Sequence, residues 1–208
     1  MRHCVVEFTM QNLTSSEVRF LKTLNTPWKI QSFLNEIPYH LADTAFSPQM
    51  VLQEKTAHCL EGAIFAAAAL RMNGYPPLLL DFEAHNDSDH VIAVFQKNKA
   101  WGAIAISNFA GLRYRPPVYR TLRELAMSYF NDYFNKRRER TLRTFSQPVN
   151  LGRFDHQGWM TRKDNVWFIA EHLCEIPHKK LLTPQMERAL SPVDKRMLGA
   201  AMFGMRKK

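Results

Sequence analysis

The chain has 208 residues, of which 46% are hydrophobic and 12% aromatic. This composition is enough for one sizeable core and excludes a disordered protein. No apolar run approaches the roughly 18 residues that a membrane span requires, and Glu7 interrupts the N-terminal apolar patch before a secretion signal could develop. We therefore expect a soluble, cytoplasmic protein without a membrane contact.

The net charge of +9 is concentrated in two places, a stretch from Arg113 to Arg143 and the C-terminal tail. Such charge favours an acidic partner, an anionic surface or nucleic acid. A solvated basic face is the simpler interpretation, because no nucleic-acid-binding motif accompanies the charge. We do not expect nucleic acid as a partner, and an acidic protein partner stays an alternative.

The three cysteines, Cys4, Cys59 and Cys174, are odd in number and widely spaced. They form neither a disulfide framework nor a CxxC metal pair. In a reducing compartment each is expected to be a free thiol.

Helical spacing predicts short helices over residues 15–24 and 26–36, the second with Pro27 at its first position. A loop containing Pro38 and Pro48 follows. Residues 56–74, TAHCLEGAIFAAAALRMNG, then predict a helix with Thr56 as its N-cap and Gly74 just beyond its end. This helix has almost no polar face, so we expect it to run through the middle of a domain.

Apolar runs predict strands over residues 78–83, 90–95 and 101–106, the last two forming an antiparallel hairpin with its turn near Lys97 and Asn98. Beyond residue 110, the pattern predicts a helix over residues 121–135, a short strand over 141–146 and helices over 165–173 and 192–205. The order favours an α+β fold. We expect a core over residues 1–110 and a mainly helical extension over 111–208, packed together as one unit.

Three polar residues fall into an order that is typical of thiol catalysis. Cys59 lies in the first turn of the apolar helix, where unpaired N–H groups and the helix dipole favour a thiolate. His90 opens the hairpin and can take the thiol proton, while Asn108 follows the second strand and can orient the imidazole. With the turn near Lys97 and Asn98, His90 would lie opposite Ala105. An ideal pleat would then turn Ser107 rather than Asn108 toward His90, so the orienting residue stays open.

The segments HCLEGAIFAAAALRMNGYPP, DHVIAVF and WGAIAISNF resemble small bacterial transglutaminase-like proteins of the papain-like cysteine enzyme superfamily. The resemblance covers residues 30–109 and implies a transglutaminase-like core in which the cysteine-headed helix packs on an antiparallel sheet. It implies Cys59 as nucleophile, His90 as general base, and Asn108 where the family usually has an aspartate. Gln53 resembles the glutamine that donates to the oxyanion in papain-type enzymes, and the Cys59 main-chain N–H is a further donor.

The resemblance implies cysteine-dependent acyl transfer without a metal or an organic cofactor. Hydrolysis of a peptide, isopeptide or other amide through a thioester on Cys59 is the default reaction, since water is always present. The rival interpretation is a catalytically inactive protein of the same fold that uses its basic surface to hold an acidic partner or nucleic acid. The substrate and the oligomeric state stay open.

Each candidate residue also has a purely structural interpretation. Cys59 can be a small core residue, His90 a hydrogen-bonded strand histidine, and Asn108 a turn former. Glu61 can complement the helix dipole, and Asp89 can either cap a loop or raise the pKa of His90. Five residues also suggest a metal site, but their spacings match no zinc motif: His58, His85, Asp87, Asp89 and His90. His58 is otherwise an exposed first-turn residue or a competing base.

Overall fold

The central helix of the fold begins at Cys59, where the sequence turns from polar to apolar. The computed structural model describes residues 13–205, so Cys4 and the basic tail 206–208 lie outside the described residues. The helices are α1 (Ser15–Thr23), α2 (Pro27–Glu36), α3 (Pro48–Glu54), α4 (Cys59–Met72), α5 (Leu122–Tyr129), α6 (Trp167–Glu175), α7 (Pro184–Arg188) and α8 (Lys195–Ala201). A 3₁₀ helix spans Leu151–Gln157.

The strands form one antiparallel sheet in the order β4-β3-β2-β1-β5-β7, with β6 also paired to β1. Their bounds are β1 (Leu78–Ala84), β2 (His90–Lys97), β3 (Ala100–Ile104), β4 (Arg115–Tyr119), β5 (Leu142–Ser146), β6 (Val149–Asn150) and β7 (His178–Lys180). Antiparallel strands combined with several helices confirm the predicted α+β class.

The β2–β3 hairpin has a different register from the predicted one. Lys97 pairs with Ala100, and the turn residues Asn98 and Lys99 both have positive φ angles, 52° and 63°. Two such residues form the tight turn that suits the twist of a hairpin. The predicted pairing of His90 with Ala105 is therefore wrong, because the same register continued beyond β3 brings His90 level with Ser107.

Two apolar layers cover the two faces of the sheet. On one face α4 packs against β2, and its residues from Leu60 to Leu70 are all buried. Gly62 makes the close approach of α4 feasible, since a Cβ there would collide with the Ile106 side chain. The other face is covered by α5, with Tyr129 and Tyr133 fully buried against it.

The helix α4 starts later than its sequence predicts. Thr56 was expected as the N-cap, but its hydroxyl donates to the Pro38 carbonyl at 2.9 Å, and Ala57 forms a parallel bridge with Tyr39. These contacts keep residues 56–57 extended, so His58 becomes the N-cap. The segment predicted as a loop also contains α3, which Ser47 caps ahead of Pro48.

The sheet extends across the predicted boundary at residue 110. The part after this boundary supplies helices at the three predicted places, α5, α6 and α8, and the predicted strand β5. It also supplies the short helix α7 and the strands β4, β6 and β7, which the sequence did not predict. The strand β5 pairs directly with β1 of the preceding part. The two parts therefore share one sheet.

No helix within residues 13–205 is long and apolar enough to cross a membrane.

Candidate functional site

A small cavity of about 220 Å³ opens where α4 begins and β2 starts. Three of the predicted site residues, Cys59, His90 and Asn108, line it together with Ser107. The remaining wall residues are Tyr39, Asp87, Ser88, Asp89, Phe109, Leu112, Tyr133 and Phe134. The fold thus gathers residues that are separated by up to 95 positions in the chain around one hollow.

Cys59 is the first residue of α4 and stays partly accessible. Burial raises the pKa of its thiol, and the charge of Asp81 acts in the same direction. Hydrogen bonds to the sulfur from the main-chain N–H groups of Val91 and Leu60 and from the Tyr39 hydroxyl oppose this rise without cancelling it. The expected thiolate is therefore wrong for the resting protein, because desolvation outweighs the helix start.

His90 is buried and neutral. Its Nε2 lies 3.0 Å from the Leu112 carbonyl oxygen, and since a carbonyl only accepts, Nε2 carries the proton. Nδ1 is then the unprotonated nitrogen that can act as a base. Burial lowers the pKa of His90 to about 4, with the Leu112 carbonyl opposing and the charge of Arg115 reinforcing the shift. The suggested increase of this pKa by Asp89 is not found.

Cys59 and His90 approach the cavity from different faces of the sheet. Val91 packs in the layer that contains α4, and Ile92 packs in the layer that contains Tyr133. Because side chains alternate along a strand, His90 belongs with Ile92, and its ring lies 6.3 Å from that of Tyr133. Among the described contacts no hydrogen bond joins the thiol to the imidazole, so the two groups share a cavity without being paired.

The Leu112 carbonyl holds the position that was predicted for Asn108. Asn108 lines the cavity and is partly exposed. The neighbouring Ser107 is buried, and its hydroxyl oxygen accepts from the Phe109 N–H at 3.0 Å. The hydrogen bond from Nε2 of His90 goes to the Leu112 carbonyl and not to Ser107 or Asn108.

Gln53 is not part of the cavity wall. It lies on α3, is exposed, and its side chain hydrogen-bonds to Glu17 of α1. The structure therefore brings Gln53 to the contact between two helices and not to the thiol. Its role as an oxyanion donor stays a prediction that the geometry does not favour.

Glu61 lies in the first turn of α4 with no exposed surface. It accepts hydrogen bonds from the main-chain N–H of His58 at 3.0 Å and from the Thr44 hydroxyl at 2.6 Å. The imidazole Nδ1 of His40 lies 3.1 Å from Oε2, the same carboxylate oxygen that accepts from the His58 N–H. His58 itself directs Nε2 to the Thr44 carbonyl at 2.7 Å, so it is engaged in this cluster rather than exposed.

The acidic loop before β2 is organised by its own hydrogen bonds. Asp89 accepts from the Ala84 N–H at 2.8 Å, and Asp87 accepts from the Thr141 hydroxyl at 2.7 Å. These contacts are those of a capped loop. Within residues 13–205, no three ligating side chains are grouped so that they could hold a metal ion.

A buried pair of Asp81 and His178 lies on strands near the cavity. Their side chains approach to 3.1 Å, and His178 also directs Nδ1 to the Ile176 carbonyl at 2.9 Å. Burial raises the pKa of Asp81, while His178 opposes the rise. Because the Ile176 carbonyl can only accept, Nδ1 donates to it, and Nε2 faces the Asp81 carboxyl group.

Much of the basic stretch is used inside the protein. Lys136 and Arg137 are exposed, on the turn that follows Tyr133. By contrast, carbonyls or carboxylates bind the guanidinium groups of Arg113, Arg115, Arg123, Arg138, Arg140 and Arg143. A large part of the positive charge therefore has a structural role, which weakens the case for an acidic partner along this stretch.

Sequence reasoning missed three groups that shape the site: the Tyr39 hydroxyl, the Leu112 carbonyl and the Glu61 cluster. Tyr39 and Leu112 lie in segments without periodicity, and a carbonyl acceptor leaves no mark in the residue type. No protein-family model matches this sequence, and no curated protein matches it.

Proposed function

We propose that the protein is a cysteine-dependent acyl-transfer enzyme, with Cys59 as nucleophile and His90 as general base. The observation that supports this most is the shared cavity of about 220 Å³, which holds a thiol at a helix start and a histidine of fixed tautomer. The cysteine-headed helix on an antiparallel sheet is in keeping with a transglutaminase-like core. Hydrolysis of a peptide, isopeptide or other amide is the proposed reaction.

In the acylation step, the Cys59 sulfur attacks the carbonyl carbon of the amide, and the thiol proton passes to Nδ1 of His90. The C–N bond then breaks, and the imidazolium returns the proton to the leaving nitrogen. In the second step, water adds to the thioester while Nδ1 accepts its proton, and the S–C bond breaks to release a carboxylic acid and the thiol.

The main-chain N–H of Cys59, in the first turn of α4, is the proposed donor to the oxyanion. The first N–H groups of a helix have no partner within the helix and are fixed in direction before any substrate arrives. Gln53 is not needed for this role, which agrees with its exposed position on α3, outside the cavity wall.

The proposed chemistry proceeds from a neutral thiol and a neutral imidazole. A raised thiol pKa and a lowered histidine pKa both disfavour charge separation at rest. The proton therefore moves only when attack on the carbonyl makes the thiol more acidic. Catalytic hydrogen bonds are often long in the free enzyme and tighten when substrate binds, so we expect His90 and Cys59 to approach each other in the complex.

An activated aryl ester tests the proposal, because its acyl group is transferred to a competent thiol with release of a coloured phenol. Incubation with p-nitrophenyl acetate should give a burst of p-nitrophenol and an acetyl group on Cys59, detected by mass spectrometry of peptides. His90→Gln should slow acylation by about 100-fold, the lower range of general-base contributions.

The exposed Cys174 provides a matched control. Cys174→Ser should keep the burst, and Cys59→Ser should abolish it. An acetyl group found on Cys174 alone, or a rate that His90→Gln leaves unchanged, contradicts the proposed function.

A further inference from the structure

Glu61 is a fully buried carboxylate two residues after the thiol on the same helix. A carboxylate leaves water at a large cost unless hydrogen bonds replace its hydration. Here Oε2 accepts from the main-chain N–H of His58, the N-cap of α4, and Oε1 accepts from the N–H of Phe46, both at 3.0 Å. Phe46 belongs to the segment 39–46, which precedes α3. Glu61 therefore joins this segment to the start of α4.

Two side chains of the segment 39–46 strengthen the connection. The Thr44 hydroxyl donates to Oε1 at 2.6 Å, and His40 Nδ1 lies 3.1 Å from Oε2. His58 adds to the cluster, with Nε2 bound to the Thr44 carbonyl at 2.7 Å and 3.5 Å from Glu61. Both carboxylate oxygens thus bind donors from the segment and from the helix start.

The same segment begins with Tyr39, which lines the cavity together with Cys59 and whose hydroxyl favours the thiolate form of the sulfur. Tyr39 is bridged to Ala57 through the main chain, and the His40 N–H donates to the Ala57 carbonyl at 3.0 Å. Tyr39 contacts the thiol, and its neighbour His40 contacts Glu61. A displacement of the segment would therefore move the Tyr39 hydroxyl away from the sulfur.

We propose that Glu61 is a positioning residue for the thiol: it holds the segment 39–46 against the start of α4 and so keeps the Tyr39 hydroxyl on the Cys59 sulfur. The inference rests on the proposed function, since it concerns the same nucleophile. It assigns to Glu61 a role beyond complementing the helix dipole.

Glu17 shows what a capping glutamate does without this role. It occupies the same position in α1, three residues after the N-cap Thr14, and accepts from the Thr14 N–H at 2.7 Å. Glu17 also accepts from the Gln49 side chain at 3.0 Å, and it is not part of the cavity wall around Cys59. Glu17→Gln is therefore a matched control for the loss of a helix cap.

The test is the pH dependence of Cys59 alkylation by iodoacetamide, in full-length protein carrying Cys4→Ser and Cys174→Ser. A hydrogen bond from Tyr39 stabilises the thiolate, so Tyr39→Phe should raise the pH midpoint of alkylation by about one pH unit. Glu61→Gln should raise it by a similar amount, although loss of the carboxylate charge alone would lower it. The double variant should not exceed the larger single effect, because both changes remove the same contact.

Glu17→Gln should lower the melting temperature and leave the midpoint unchanged. Thr44→Val removes one hydrogen bond from the Glu61 cluster, and it should give a smaller upward shift if Glu61→Gln does not fold. A midpoint that stays or falls in the Glu61 and Thr44 variants, or effects of Glu61 and Tyr39 that add, overturns the inference. Failure of the proposed function gives a different result. In that case no acyl-enzyme forms with p-nitrophenyl acetate, while the shifts in the pH midpoint of alkylation are still observed.

Discussion

The buried, neutral state of His90 predicts a specific loss of stability in mild acid. In the folded protein burial lowers the pKa of His90 from 6.5 to about 4. As the pH falls through this interval, the unfolded chain binds a proton that the folded protein does not. The free energy of unfolding therefore has its full contribution from His90 above about pH 6.5 and loses it as the pH falls toward about 4. This loss of unfolding free energy reaches about 2 kcal/mol at about pH 5 and about 3 kcal/mol near pH 4.

Urea unfolding of the wild type and of His90→Gln, at about pH 7.5 and about pH 5, measures this effect. The glutamine keeps an N–H donor for the Leu112 carbonyl but does not titrate. The wild type should lose about 2 kcal/mol more than the variant between the two pH values. Asp81, whose raised pKa acts in the opposite direction, is common to both proteins and cancels in the difference. An equal loss in the two proteins would show that His90 is hydrated or charged in the fold, and would refute the fixed-tautomer argument.

Other contacts within the fold lead to further predictions. Arg71→Leu removes a bidentate ion pair with Asp155, at 2.6 and 2.8 Å, and should lower the free energy of unfolding by about 3 kcal/mol in urea titrations. Gly62→Ala should cost about 1–3 kcal/mol by overpacking, and differential scanning calorimetry should show partial recovery when Ile106→Ala is added. Asn108→Ala should keep the acid-dependent loss of stability seen in the wild type, because the carbonyl that holds the imidazole is elsewhere; loss of that pH dependence in urea titrations would restore Asn108 as the orienting residue.

Local patterns in the sequence predicted much of the architecture. The apolar run after Cys59 requires a buried helix, and the strands β1, β2 and β3 begin within one residue of their predicted starts. These signals are local, because a helix or strand is specified by the spacing of its own side chains. The same reasoning placed Cys59, His90 and Asn108 around one cavity. The proposed catalysis and the transglutaminase-like resemblance stay predictions.

The tertiary structure alone decided the chemical state of the site. Both faces of β2 are apolar, so alternation could not show that His90 turns away from the layer of α4. Desolvation depends on every neighbour that excludes water, and here it keeps the Cys59 thiol and the His90 imidazole neutral. The groups that hold them come from distant segments, the Leu112 carbonyl for His90 and the Tyr39 hydroxyl for Cys59. The sequence pattern predicted that Cys59, His90 and Asn108 lie close together, whereas long-range packing determined their partners and the protonation of Cys59 and His90.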